Sequence, residues 1–253
     1  MSTNSSLPVI SIVTPTYNAA CYLEQTLRSV SDQEYPRLEY VVVDGGSTDG
    51  TLDIIRSHDG LISRWISEPD EGISDAFNKG VRMATGEIVG IINADDYYHP
   101  GALAAVAQAA QDHPAADIYY GDAIHERFDG GGAFRFRPKR DIGKYIWRRM
   151  PVSHPATFVR RSAYERYGLF DLRYELAMDY DLMLRMYRGG ARFCYVDAIL
   201  SHYRYGRPCG VKGMRESRDI AVVNGLSPLV AGLRYGEGVI KAWLKRMFVA
   251  ITS

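Results

Sequence analysis

Leu38-Glu39-Tyr40-Val41-Val42-Val43, continuing into Asp44-Gly45-Gly46-Ser47-Thr48-Asp49-Gly50, joins an apolar β-branched run to a turn rich in glycine and short polar side chains. Such a run, closed by such a turn, reads as a buried strand. Helical spacing then resumes at Leu52, Ile54 and Ile55. The strand signature recurs upstream at residues 9–14 and downstream at residues 62–67 and 88–92. Tyr22, Leu23, Leu27 and Val30 fill the first gap with helical spacing, and Ile73, Ala76, Phe77, Gly80 and Val81 fill the third. The order is β-α-β-α-β-α-β. Strands apolar on both faces and separated by helices predict an α/β fold, with a mostly parallel central sheet covered on both sides through right-handed crossovers. Sheets of this kind bind ligands beyond the carboxyl ends of their strands.

Farther along, residues 102–111 form an alanine-rich helix pattern and residues 118–120 a strand, after which the alternation ends. Residues 130–140 read as a hairpin or loop rich in Gly and Arg. Helical spacing returns at 162–167 and 179–187, with two strands predicted at 192–196 and 199–203. There is no internal repeat. The predicted organisation is one domain over residues 1–225, with a half like nucleotide-binding folds (8–121) and a half of irregular topology (122–225), then an amphipathic helical segment over 226–253.

The 253 residues carry 30 Lys and Arg against 30 Asp and Glu, so the basic excess that supports nucleic-acid binding is missing. No stretch approaches the roughly 20 apolar residues of a membrane-spanning helix, and residues 1–6 lack a signal-peptide pattern; a cytoplasmic protein is expected. Cys21, Cys194 and Cys209 are odd in number with no Cys-x-x-Cys pair, and read as reduced thiols. The C-terminal segment interleaves Leu229, Leu233, Ile240, Trp243, Leu244, Met247 and Phe248 with Arg234, Lys241, Lys245 and Arg246, and is expected to break near Gly236 and Gly238. It suits packing on the domain or on a second subunit, or else peripheral contact with an anionic membrane surface.

The chemistry-bearing residues gather at predicted strand ends: Thr14-Pro15-Thr16-Tyr17-Asn18, the Asp44 turn, and Asn93-Ala94-Asp95-Asp96. Ser47, Thr48 and Asp49 could cap the helix starting near Thr51. Asp44 leaves its strand directly before the turn, which aims its carboxylate at the crevice, where it could accept hydrogen bonds from a base or ribose. Asp95 and Asp96 are adjacent like charges that a cation would neutralise, and oxygen-only ligands suit Mg²⁺ or Mn²⁺. Loop acids of this kind also serve as solvated or capping groups. Asp75, Asn78 and Lys79 lie at i, i+3 and i+4, so they share one helix face turned either to solvent or to the crevice.

In this order the stretches Ser11–Asn18, Val41–Thr51, Asp70–Gly80, Asn93–Asp96 and Met178-Asp179-Tyr180-Asp181-Leu182 resemble the family-2 glycosyltransferases of the GT-A fold, in particular small bacterial enzymes that build cell-surface polysaccharides. The resemblance spans most of residues 9–205. It implies that Pro15, Tyr17 and Asp44 line the base and ribose of a nucleotide-sugar donor, UDP-linked, with Asp75 and Lys79 close by. It makes Asp95 and Asp96 the Mg²⁺ or Mn²⁺ motif, Asp96 on the metal and Asp95 nearer the ribose or donor sugar; Asn93 departs from the usual Asp-x-Asp. Asp179 falls where the family keeps its catalytic base, with Asp181 as the competing carboxylate. The implied reaction is a single inverting displacement onto a hydroxyl of a glycan or polyprenyl-linked acceptor. No Gln-x-x-Arg-Trp element follows Asp179, so one sugar per encounter is expected. His154 and His202 could line the acceptor side or be structural, and Arg204 and Arg207 could reach a diphosphate. A degenerate nucleotide-binding scaffold is the alternative; Asn93 favours it, and the joint presence of Asp95, Asp96 and Asp179 opposes it. A Rossmann dehydrogenase is excluded by the absence of Gly-x-Gly-x-x-Gly after the first strand.

Overall fold

A computed structural model describes residues 7–206 and 210–252. Four parallel strands, β1 (Ile10–Thr16), β2 (Leu38–Asp44), β3 (Arg64–Ser67) and β4 (Ile88–Ile91), lie in the order β3-β2-β1-β4. The helices α1 (Leu23–Ser31), α2 (Thr51–Ser57) and α3 (Ile73–Met83) connect them. Alternation along β2 decides which core each side chain enters. Val41 and Val43 pack with Phe77 and Val81 of α3, whereas Tyr40 and Val42 pack with Leu23 and Leu27 of α1 and Ile55 of α2. Register sets Thr16 beside Asp44 and Asp44 beside Ser67, so three strands end level and their loops meet.

The second half completes a mixed sheet through β5 (Tyr97–Tyr98), α4 (Ala102–Asp112), β6 (Ile118–Arg127), β7 (Ala133–Phe136), α5 (Ile142–Ile146), β8 (Thr157–Arg160), α6 (Arg161–Tyr167), α7 (Met178–Arg188) and β9 (Phe193–Tyr205). Strand β8 inserts antiparallel between β4 and β6, while β6 and β9 run parallel. Two helices follow, α8 (Gly210–Val223) and α9 (Pro228–Thr252).

Several expectations are corrected here. The two strands predicted at 192–196 and 199–203 are one strand, β9, whose break in pattern is a shift of register against β6 between Tyr120 and Ala123. Strand β6 runs on to Arg127, because β7 pairs with its far end and closes a hairpin. The C-terminal helix passes Gly236 and Gly238 without a break. Glycine costs a helix about 1 kcal/mol, too little to stop one of 25 residues. Among the described residues no helix is long and apolar enough to cross a membrane.

Candidate active site

Asp44 leaves β2 fully buried and is saturated by its own surroundings. Its carboxylate accepts from Thr16 Oγ1 (3.0 Å), Ser47 Oγ (2.5 Å), Ser67 Oγ (2.7 Å) and the backbone N–H groups of Gly46 (3.1 Å) and Ser47 (3.0 Å). Burial alone would raise its pKa; the hydrogen bonds outweigh burial and hold the carboxyl below its usual range. Five donors fill the roughly four lone-pair sites of a carboxylate. Asp44 is therefore turned inward to tie three strand ends together, rather than outward into the crevice. Ser47 Oγ accepts from Asn18 N, Thr51 Oγ1 from Ala19 N and Asp49 from Ala20 N, stitching the β1–α1 and β2–α2 loops together. Asp49 also accepts from Thr51 N–H (3.1 Å) in the turn that leads into α2.

On the open side of this loop pair, Tyr17 is 65% exposed above buried Pro15. A Cβ on Gly45 would stand 2.4 Å from Asp70 Oδ2 and 3.4 Å from the Tyr17 ring, so the absent side chain lets Asp70 approach. Lys79 Nζ binds Glu68 (2.9 Å), Asp75 (3.1 Å) and the Pro69 carbonyl (3.0 Å), fixing the β3–α3 loop at the same edge. Asn78 does not join Asp75 and Lys79. It is buried, and its amide exchanges two hydrogen bonds of 2.9 Å with the backbone of Phe170.

Beyond β4, Asp96 is wholly buried, with Oδ1 accepting from Arg204 N (2.8 Å) and Oδ2 from Asn93 Nδ2 (3.2 Å). Burial, with the Asp95 charge beside it, pushes its pKa well above the carboxylate range. Asp95 is partly buried, at the mouth. Asn93 Oδ1 is a buried acceptor with no partner. Arg204 lies in β9 rather than in a loop. Its guanidinium is taken up by the Asp95 carbonyl (2.8 Å) and Gln25 Oε1 (2.5 Å) and stands over the Tyr22 and Tyr97 rings. Arg207 and Cys209 lie outside the described residues.

Asp179, in the first turn of α7, lines a cavity with room for about one water, together with His154, Thr157, Tyr164, Phe170 and Met183. Burial raises the Asp179 pKa, with His154 acting against it. Burial lowers that of His154, whose ring stacks on Phe77 at 5.1 Å. Asp181 is buried and bound to Arg185 Nε (2.7 Å), which leaves Asp179 as the carboxyl at the cavity. His202 lies apart from this cavity. Its Nδ1 meets Glu126 (2.7 Å), its Nε2 meets His99 (3.0 Å), and its ring stacks on Tyr97 at 4.3 Å.

Loops converging at one sheet edge, with an acidic pair at one strand end and a part-buried carboxyl at the start of α7, are joined by a direct match. Residues 11–168 fit the family described as Glycosyl transferase family 2. The chain belongs to glycosyltransferase family 2. A PGL/p-HBAD biosynthesis glycosyltransferase of Mycobacterium tuberculosis (strain ATCC 25177 / H37Ra) is 36% identical over 203 residues, 78% of this chain and 77% of the relative. In fold, the chain is similar to S. aureus TarS 1–349 in complex with UDP, with a TM-score of 0.66 and 20% identity over 90% of this chain and 70% of that one. It is similar too to the mannosyltransferase PcManGT of Pyrobaculum calidifontis, in complex with GDP-Man and Mn²⁺: TM-score 0.65 and 22% identity over 92% of this chain and 69% of that one. The fold is GT-A, and the chain is a glycosyltransferase.

The PcManGT neighbour is in complex with Mn²⁺. Among the described residues no three His, Cys, Asp or Glu side chains group to hold such a cation. The donors present nevertheless fit. Asn93 Oδ1 is an unpartnered oxygen beside two carboxyl groups, and magnesium is commonly held by one or two carboxylates with substrate phosphates completing the shell. Sequence reasoning missed Asp70, Glu126, His99 and the roles of Ser67 and Phe170, because each acts through a contact between distant segments that no spacing announces. The Gly-Gly pair after Asp44 was the one available signal for a close approach such as that of Asp70.

Proposed function

We propose that this glycosyltransferase moves one sugar, with inversion, from a UDP-linked donor to a hydroxyl of a glycan or polyprenyl-linked acceptor in surface-polysaccharide assembly. The biosynthetic setting is supported by the PGL/p-HBAD biosynthesis name of the M. tuberculosis relative, and the choice of UDP by the UDP complex of the TarS neighbour. Residues 1–225 act as one catalytic domain and 226–253 as an appended helix. The observation that carries the reading is Asp179, a carboxyl whose pKa burial raises, in a cavity that it shares with Ile91 at the carboxyl end of β4.

Tyr17 and Pro15 form the wall against which the base stacks, and Asp44 keeps the loop that frames it rigid. Lys79 and Asp75 hold the β3–α3 loop over the nucleotide. Asp96, expected on the metal itself, is buried and accepts from Arg204 N and Asn93 Nδ2, so it sets the position of Asp95 and Asn93 Oδ1, which face the cation. A cation bound there, Mg²⁺ or Mn²⁺, supplies neutralising charge for the departing diphosphate. Asp179 takes the proton of the acceptor hydroxyl as that oxygen attacks the anomeric carbon, and one displacement inverts its configuration. Lacking the processive motif, the enzyme releases its product after one transfer.

Calorimetry with UDP, GDP and dTDP, each with and without Mn²⁺, tests the donor assignment. UDP binding that strengthens at least tenfold with Mn²⁺ is the expected result. Binding of none of the three would overturn the donor assignment.

A further inference from the structure

The helix pair at the C-terminus leaves one face uncovered. Helix α9 packs on α8 through Ala231, which is 3% exposed, Tyr235, whose ring lies 5.1 Å from the Arg218 guanidinium, and Gly238, which faces Met214 Sδ. At about 100° per residue these three positions fall on one side of the helix. Leu229, Leu233 and Ile240 fall within about 40° of one another on the opposite side. They are 74%, 68% and 59% exposed, so three large aliphatic side chains stand in water along one stripe. In the sequence, Leu244, Met247 and Ile251 continue the same spacing. Single exposed leucines are ordinary; a stripe of them is an interaction surface.

Charge selects the partner. Residues 228–252 carry Arg234, Lys241, Lys245 and Arg246 against one acid, Glu237, in a protein whose total charge balances. Arg234 donates to the Trp147 carbonyl (2.7 Å); an apolar stripe on a segment of net positive sequence charge matches the boundary between acyl chains and anionic headgroups. The helix, about 37 Å long, spans 25 residues yet carries five charges, which bars it from crossing a bilayer and leaves it to lie along the surface. A second apolar group adjoins the pair. Glu216 of α8 accepts hydrogen bonds from Leu176 N (2.9 Å) and Ala177 N (3.0 Å), and Lys212 pairs with Glu175. Leu172, Leu176 and Val211, all exposed, therefore stand where α8 meets the loop that delivers Asp179.

We propose that the outer face of α9 docks on an anionic phospholipid surface, with Leu229, Leu233 and Ile240 entering the headgroup boundary and the net positive charge of the segment drawing it to lipid phosphates. This docking deepens the lipid-linked reading of the acceptor, on which it rests, by holding the mouth of the site at the depth where such an acceptor presents its hydroxyl.

Flotation of the full chain with phosphatidylglycerol–phosphatidylcholine vesicles, against phosphatidylcholine alone, tests it. Partitioning onto the anionic vesicles is expected to exceed that onto neutral ones by at least about tenfold and to fall with added salt. Leu233→Glu with Ile240→Glu should abolish it, and Lys241→Glu with Lys245→Glu should lower it about tenfold or more. UDP binding by both variants, unchanged, would show that fold and donor site survive, so a failed docking surface is distinguishable from a failed glycosyltransferase reading. Absence of binding to anionic vesicles overturns the proposal. So does a dimer in light scattering that Leu233→Glu dissociates without lipid, since a second copy would then cover the stripe.

Discussion

Asp179 is a carboxyl that burial discourages from ionising, and this property serves it as a base. A base is useful when its pKa approaches the working pH, and transfer should therefore lose rate on the acid side at a pH above the ordinary carboxylate value of about 4. Asp179→Asn removes the proton acceptor while keeping the shape. A loss in kcat of about 10²-fold or more is expected, with the donor Kd within about twofold of wild type. The same burial has a consequence for stability. A folded-state pKa raised above the unfolded one means that folding favours the protonated acid; its contribution is present at low pH and lost as pH rises through the raised value. Asp179→Asn should thus melt higher than wild type at pH 8 and together with it near pH 4. A variant inactive and less stable at pH 8 would show that Asp179 holds the fold rather than the proton.

At the scale of elements, the seat of α3 on β1 depends on one missing side chain. A Cβ on Gly80 would lie 2.1 Å from Val13 Cγ1 and 3.2 Å from its Cβ, in a core where Val13 is wholly buried. Alanine gains about 1 kcal/mol of helix propensity over glycine. Overpacking a β-branched neighbour costs about 1–3 kcal/mol and should win. Gly80→Ala is expected to be destabilised by up to about 2 kcal/mol in urea denaturation, lifting α3 and with it Lys79 from the donor loop. At Gly45 the intruding Cβ meets the carboxylate end of the Asp70 side chain and, at ordinary contact distance, the Tyr17 ring. Gly45→Ala should keep its stability and weaken UDP binding instead. A Gly80→Ala protein as stable as wild type would show that Val13 can turn aside. These contacts mark the limit of sequence reading. The first four strands were legible because their apolar runs repeat and their turns carry Gly, Ser and Asp. Strand β8 was not, since Thr157–Arg160 is four residues long and is placed by pairing with β4 and β6, nearly 70 and 40 residues away. The acidic pair and Asp179 were visible as residues. That Asp44 and Asp96 turn inward was not, since their partners Ser67 and Arg204 come from other strands.

Across the whole molecule, three carboxylates tie the sheet together and set its response to acid. Glu39 accepts from Ser11 Oγ (2.5 Å), Thr85 N (2.7 Å) and Thr85 Oγ1 (2.9 Å), joining β2 to β1 and to the turn before β4. Asp44 joins the ends of β1, β2 and β3, and Glu126 joins β6 to β9 and β5 through His202 and Tyr97. In each, burial raises the pKa, but the hydrogen bonds prevail and hold it below the usual carboxylate value. A lowered folded pKa contributes stability that is present above the unfolded value of about 4 and is lost as pH falls through the folded one. The ties sit in both halves of one continuous sheet, so they should fail together. Thermal melts followed by circular dichroism are expected to show a Tm that falls steeply in a single transition as pH drops below about 4. Glu39→Gln tests the cause. It replaces charge-assisted hydrogen bonds by neutral ones, a loss of about 2 kcal/mol, or roughly 4–8 °C in Tm at pH 7 for a chain of this size. At pH 3, where wild-type Glu39 is itself losing its charge, the gap should close toward zero. A gap of equal size at both pH values would mean that Glu39 acts by shape, and that the acid response belongs to Asp44 and Glu126.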